Sequence, residues 1–305
     1  MRTIWLASYP KSGNTWFRML VANLSAKDGE PADINNLAER GAIASAREPF
    51  DRLLLVDSGL LTHDEIDCLR PSLYEALARD DHDSDDDPGD FLPVRFVKVH
   101  DAYTLTPKGE PLLARGAEGA VVMVRDPRDI APSLANHLAA TIDQAVTFLN
   151  DPRAVFSGRR RRQDPQLRQK LLGWSGHIAS WLEQRDIPVH LVRYEDMAAD
   201  TAGVLRRALA FAELPATDEA IERAARLADF TQLRQQEQDK GFREAPHPGH
   251  GKIFFRRGEV GGWRDELTAQ QVARIESAHA PMMRRLGYEL AAVRDAADAL
   301  TGEAV

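Results

Sequence analysis

Four short apolar runs stand out along the chain: Thr3–Ser8, Val94–Val99, Ala120–Val124 and Pro188–Arg193. Each is rich in β-branched or large apolar residues and is followed by polar or turn-forming ones. The runs are continuously apolar rather than alternating, which predicts strands covered on both faces, as in a parallel sheet flanked by helices. Helical spacing fills the intervals, at Trp16–Leu24, His63–Arg79, Pro127–Ala140, Leu167–Gln184, Thr201–Phe211, Asp218–Leu227 and Val272–Leu286. Thr62 with Glu65, and Thr268 with Gln271, are spaced as capping boxes. Strands alternating with helices predict an α/β, doubly wound fold.

Two stretches read as loops. Asp80–Asp90 holds seven aspartates among eleven residues and is expected to be a solvated, mobile loop. Gln235–Lys252, with Pro246, Pro248, Gly249 and Gly251, is expected to be a long flexible segment able to cover a pocket. The tetra-arginine run Arg159–Arg162 reads as a solvated loop, with attraction of an anionic partner as the alternative.

Composition narrows the field. The 305 residues are 43% hydrophobic and 28% charged, enough to bury a large core in one α/β domain or two smaller ones. A net charge of −8 argues against a general nucleic-acid binder. The single cysteine, Cys68, forbids an internal disulfide and fits a reducing compartment. The opening apolar run is too short for a signal core, and no stretch of about 18 apolar residues exists to span a membrane. The chain is therefore expected to be cytoplasmic.

The first strand runs directly into Pro10-Lys11-Ser12-Gly13-Asn14-Thr15, and a helix follows. Ligands of open α/β sheets bind at the carboxyl ends of strands, and a helix N-terminus offers free N–H groups to an anion. Gly13 lets the backbone approach that anion, Lys11 adds a charge, and Ser12, Asn14 and Thr15 add donors. The usual triphosphate loop places its lysine after the second glycine; here the lysine precedes the only glycine. The anion is expected to be phosphate-like and bound without magnesium, with a purely structural turn as the alternative.

Tyr9–Trp16 resembles the YPKSGTTW signature of the sulfotransferases that use 3′-phosphoadenosine-5′-phosphosulfate (PAPS), with Asn14 in place of a threonine. The resemblance implies that this turn binds the 5′-phosphosulfate, that Lys11 stabilises the leaving phosphate oxygen together with Ser12, Gly13 and Thr15, and that Trp16 lies against adenine. Asn14 keeps an amide donor. Three further segments follow in the family's order. Arg125, at a strand end, and Ser133, eight residues on, resemble its 3′-phosphate site, while Asp126 and Asp129 read as helix-start chemistry. Arg193-Tyr194-Glu195-Asp196 resembles a stretch whose tyrosine contacts the nucleotide, and Phe230 falls where the family has an adenine-contacting aromatic, although Ala228 and Asp229 replace its usual serine and threonine. Arg256-Arg257-Gly258, with Gly262 and Arg264 further on, resembles the RKGxxGDWK motif and its 3′-phosphate contacts.

Sulfuryl transfer needs a base, and nine histidines are present. His63, His137, His177 and His279 fall in helical patterns, His82 in the acidic loop, and His247 and His250 in the flexible segment. His100 ends a strand in Lys98-Val99-His100-Asp101, with alternation placing Lys98 and His100 on one side. The family carries its catalytic base in such a lysine-x-histidine, followed by Leu-Pro where this chain has Asp101-Ala102. The resemblance thus implies one sulfotransferase domain over residues 1–305, with a P-loop-like fold of about five parallel strands. Residues 80–90 and 235–255 would be mobile loops and 290–305 a tail. PAPS would be the cosubstrate, PAP the product, no metal would be required, and a small-molecule hydroxyl or amine the acceptor. Ala32–Leu61, Thr141–Arg162 and Gln235–Lys252 would shape the acceptor pocket. A kinase using magnesium-ATP and a non-catalytic nucleotide-binding protein are the alternatives. Partners among nucleic acids and membranes are not expected, and the oligomeric state is left open.

Overall fold

The computed structural model describes residues 2–26, 29–37, 43–79, 92–158, 164–245 and 253–291. The acidic stretch at 80–90, the arginines 159–162, His82, His247, His250 and the chain beyond residue 291 lie outside them.

The four apolar runs form one parallel sheet: β1 (Arg2–Ser8), β2 (Val94–Val99), β3 (Gly119–Val124) and β6 (Val189–Arg193), in the order β2-β1-β3-β6. Among the described residues the sheet has four strands, where about five were expected. A separate two-stranded antiparallel pair joins β4 (Val155–Phe156) to β5 (Gln169–Lys170). Register sets Ala7 beside both Val99 and Val122, and Val124 beside Arg193. All four strands of the sheet therefore end on one edge, and the residues after them converge there.

Alternate side chains serve opposite faces, as a strand's two-residue period requires. Trp5, Ala7, Val97, Val99, Val122 and Val124 join one buried cluster, while Ile4, Leu6, Phe96, Val121 and Met123 join the other. Helices cover both faces: α1 (Asn14–Leu24), α2 (Arg47–Leu54), α3 (His63–Arg79), α4 (Pro127–Leu138), α5 (Ile142–Asn150), α6 (Gly173–Glu183), α7 (Tyr194–Ala199), α8 (Thr201–Phe211), α9 (Asp218–Leu227), α10 (Phe230–Lys240), α11 (Trp263–Glu266) and α12 (Ala269–Arg285). The α12 capping box forms as predicted, and at α3 Thr62 and Glu65 exchange the reciprocal bonds of the motif.

Two expectations are corrected. The predicted helix Leu167–Gln184 begins only at Gly173. Gln169 and Lys170 pair instead with β4, and Leu172 and Gly173 take left-handed φ angles of 58° and 65° that separate strand from helix. The predicted loop from Gln235 is helical to Lys240, as part of α10. That helix buries little besides Leu233 and Gln236, so it lacks the apolar stripe by which a helix is usually recognised.

One buried polar network fixes the end of β2. Arg70 on α3, wholly buried, donates to both oxygens of Asp101 at 3.1 and 2.6 Å, to the Tyr74 hydroxyl at 2.8 Å and to the Arg168 carbonyl at 2.9 Å. Asp101 is thus the closer of two buried counter-charges, the other being Asp67 at 3.5 Å. Removing one member of a buried pair costs about 3–5 kcal/mol where the remaining charge is uncompensated, so with Asp67 still present that range is an upper bound. Asp101→Ala is expected to lose stability up to that bound in urea denaturation, far more than substitution of an exposed aspartate such as Asp218.

Candidate active site

Above the carboxyl edge of the sheet lies a cleft of about 740 Å³. Its floor is the turn between β1 and α1. Lys11 and Gly13 both take left-handed conformations there, with φ of 71° and 97°. Glycine adopts such angles freely, whereas a lysine held in them carries strain of the kind that collects at functional sites. Gly13 is also required by space: a Cβ would lie 2.8 Å from the Tyr194 ring.

The structure brings together nearly every predicted residue. Lys11, Gly13, Asn14, Thr15 and Trp16 line the cleft from the turn, and Lys98 and His100 from the end of β2. Arg125 and Ser133 line it from the end of β3 and from α4, Tyr194 and Phe230 from the starts of α7 and α10, and Arg256, Arg257 and Gly258 from the segment before α11. Ser12 alone lies behind the lining, fully buried, its hydroxyl without a partner among the described residues. Asn14 has a definite structural task. Its amide donates to the Leu6 carbonyl at 2.8 Å and to the Ser8 hydroxyl at 3.2 Å, tying the helix start back to β1.

The arginine–glycine segment is held down by specific bonds. Asp129 accepts from the Gly261 and Trp263 amides at 2.7 and 2.9 Å, so it does more than open a helix as its sequence position suggested. Tyr194 donates its hydroxyl to the Gly258 carbonyl at 2.9 Å, and Arg125 donates to the Glu259 carbonyl at 2.9 Å while lying over the Tyr194 ring. Gly258 packs flat on Phe230, where a Cβ would come within 2.4 Å of the ring. The Nε atoms of Arg125 and Arg256 are buried without a partner among the described residues. Both terminal nitrogens of Arg256 are taken by the Glu266 carboxylate, so its guanidinium is already paired within the protein.

Electrostatics divide the groups. Burial, with Lys98 and Arg125 nearby, pushes Lys11 down to about 7, its ammonium resting 3.6 Å from the centre of the Phe254 ring. Burial and the charge of Lys98 hold His100 well below the ordinary histidine value, so it is neutral at pH 7. His100 Nδ1 lies 2.9 Å from the Ser8 carbonyl, which can only accept; Nδ1 therefore carries the proton and Nε2 keeps its lone pair. His177, read from sequence as an ordinary helical residue, holds the His100 carbonyl at 3.2 Å.

Sequence reasoning missed four contributors. His137 lines the cleft one turn after Ser133, a spacing visible in the sequence. Glu237 accepts from the Phe254 and Phe255 amides at 2.6 and 2.8 Å, and Arg18 and Glu244 meet inside the cleft. No local signal marks these three. All three segments expected to shape the acceptor pocket reach the cleft: Ile43 from the first, Phe156 from the second, and Arg243, Glu244 and Ala245 from the third.

Fold and cleft together define an α/β protein whose strand-to-helix turn floors a cleft lined by a neutral histidine and several cations. The family model described as the sulfotransferase domain matches residues 1–287, and the chain belongs to that family. Among its relatives, cytosolic sulfotransferase 17 of Arabidopsis thaliana is 22% identical over 294 residues, spanning 93% of this chain and 75% of that protein. Luciferin sulfotransferase of Photinus pyralis is 25% identical over 285 residues, spanning 90% and 69%. The crystal structure of mouse sulfotransferase SULT7A1 complexed with PAP superposes with a TM-score of 0.57 at 20% identity, covering 93% of this chain and 84% of that one, and so shares the fold.

The turn makes a test that needs no ligand. Gly13→Ala meets both a left-handed φ and the Tyr194 ring, and strain of this kind costs about 1–3 kcal/mol. A matching loss is expected in denaturant unfolding; a fully stable variant would show that the turn relaxes at no cost.

Proposed function

We propose that this chain transfers the sulfuryl group of PAPS to a hydroxyl or amine of a small-molecule acceptor, with His100 as the general base. The observation that carries this reading is the bond from His100 Nδ1 to the Ser8 carbonyl, which leaves an unprotonated Nε2 in the cleft that the phosphate-binding turn floors. PAPS, when bound, supplies the activated sulfuryl group and a phosphate leaving group.

The residues then divide the work. The turn amides, Ser12 and Thr15 hold the 5′ end at the helix N-terminus. Arg125, Ser133, Arg256, Arg257 and the Gly258 backbone hold the 3′-phosphate, and Trp16 and Phe230 take the adenine. His100 Nε2 takes the acceptor proton as the new bond to sulfur forms. Lys98 offsets charge on the transferring group, and Lys11 offsets the charge that gathers on the bridging oxygen as the bond from sulfur to that oxygen breaks. Each group acts from a fixed element, which is what in-line attack requires.

His100→Ala is expected to bind PAP with unchanged affinity by calorimetry, while release of PAP from PAPS in the presence of phenol, alcohol and amine acceptors falls about 10²–10⁴-fold. Transfer at the parent rate would overturn the assignment, and stabilisation by magnesium-ATP but not by PAP would point to a kinase.

The depressed Lys11 makes a second test. Only its protonated form attracts an anion, so PAP affinity should fall as pH rises through about 7. The second ionisation of phosphate, near pH 6, is complete by then. Losing one charge-assisted bond costs about 1.5–3 kcal/mol, which is roughly 10–100-fold in affinity. Calorimetry at pH 8 in buffers of differing ionisation enthalpy should show proton uptake on binding, and Lys11→Met should abolish it.

A further inference from the structure

Inside the cleft a single carboxylate separates two cations. Arg18 sits one turn into α1 and is almost wholly buried; its guanidinium donates to Glu244 Oε1 at 2.6 Å. Glu244 Oε2 accepts from the Lys98 ammonium at 2.8 Å. The side chains of Arg18, Lys98 and Glu244 are 6%, 15% and 30% exposed, so water screens these contacts only partly. Lysine is a point charge on a flexible four-carbon stem, and by itself it does not hold one position. A carboxylate anchored on its other oxygen by a rigid, buried guanidinium removes that freedom.

We propose that Glu244 is a positioning residue for the transfer step: clamped by Arg18, its carboxylate fixes the Lys98 ammonium in the cleft, beside His100. The inference rests on the reading of the cleft as a PAPS-dependent transfer site. The charged and titratable groups facing Lys98, besides Glu244, come from several elements: Lys11 on the turn, Arg18 on α1, His100 after β2 and His137 on α4. Lys11 and Arg18 repel its charge, both histidines are held neutral, and Glu244 is the carboxylate in direct contact. Burial lowers the Lys98 value and Glu244 raises it, while the two cations push Glu244 itself down to about 2. Glu244 is therefore a fixed anion at every working pH, and its removal should let Lys98 lose its proton at lower pH.

Glu244→Gln keeps the shape and removes the charge. Because Glu244 also raises Lys11, PAP binding is compared at pH 6, where Lys11 is largely protonated; there the variant is expected to bind PAP within about threefold of the parent, as the phosphate contacts lie elsewhere. Its kcat should fall about 10–100-fold with little change in KM for PAPS, and the alkaline limb of the kcat profile should move to lower pH. Water serves as acceptor for this measurement, through PAPS hydrolysis, if none of the phenols, alcohols or amines is turned over. Glu244→Asp should recover part of the rate. The 15N resonance of the Lys98 ammonium, followed by NMR in the PAP complex, should titrate at lower pH in Glu244→Gln than in the parent. Arg18→Met, which removes the anchor from the other side, should shift both readouts in the same direction and keeps the test available if the first variant does not fold.

An unmoved Lys98 titration would overturn the proposal. So would an unchanged or increased kcat, which would make Glu244 a plug that competes with substrate. Loss of PAP affinity in step with kcat would also overturn it, as the mark of a merely structural role. Failure of the transfer reading would show instead as full activity in His100→Ala, with the Lys98 titration still responding to Glu244.

Discussion

Like charge concentrated in a partly dry cleft is the constraint to which the rest of the site answers. Lys11, Arg18, Lys98 and Arg125 converge at the carboxyl edge of the sheet because the parallel register ends its strands together and α1 starts there. Bringing cations out of water and toward one another is costly, and a protein lowers that cost by pairing them or by letting them lose protons. Both responses appear. Arg18 and Lys98 share Glu244, whereas Lys11, whose ammonium rests over the Phe254 ring, is pushed by burial and neighbouring cations down to about 7. Burial, together with the same positive field, keeps His100 neutral, which is the state a base needs.

The neutral histidine depends in turn on the backbone beneath it. Its Nδ1 proton is committed to Ser8, the last residue of the neighbouring strand, so register between β1 and β2 sets the ring. The following residue, Asp101, is pinned by Arg70, and the Asp101 carbonyl accepts from Trp181 at 3.1 Å. Charged, aromatic and backbone contacts from α3 and α6 thus converge on two consecutive residues. An aspartate after the histidine, in place of the leucine that the family pattern calls for, makes sense here as a counter-charge to a wholly buried arginine.

The sheet and its edge were legible in the sequence because continuous apolar runs leave few alternatives to strands buried on both faces. The motifs at the ends of those runs were legible for the same reason: a fold of this type makes strand ends the place where ligands meet the chain. Elements whose form depends on distant partners were not. Helical spacing continues through Leu167–Leu172, yet Ala102 donates to the Lys170 carbonyl at 2.7 Å and β4 pairs with β5, so tertiary pairing overrides local preference. The opposite error occurred at α10, where a polar run without an apolar stripe folds as a helix because Asp229 caps its start and Glu237 binds two distant amides. Thr141 and Gln144 form a complete capping box ahead of α5, a signal that was present in a stretch assigned to the acceptor pocket.

Arg18 and Glu244 show where reading along a chain ends. They are 226 positions apart, and neither sits in a pattern that names its role. Arg18 falls on a helix whose neighbours are almost all buried, so composition alone marks it as an anomaly in a core face. An isolated buried cation demands an anion, and that demand is the physical signal. It states that a partner must exist without saying where in the chain it lies. The turn and the helix that follows it thereby supply two kinds of positive charge: Lys11 on the turn, without a carboxylate partner among the described residues, and Arg18 inside α1, neutralised from within so that Glu244 can hold Lys98 in place. On the proposed reading, a cleft with both cations free would attract anions indiscriminately, and a cleft with both paired would hold a phosphate group less tightly. Dividing the two roles between the turn and the helix that follows it resolves that conflict.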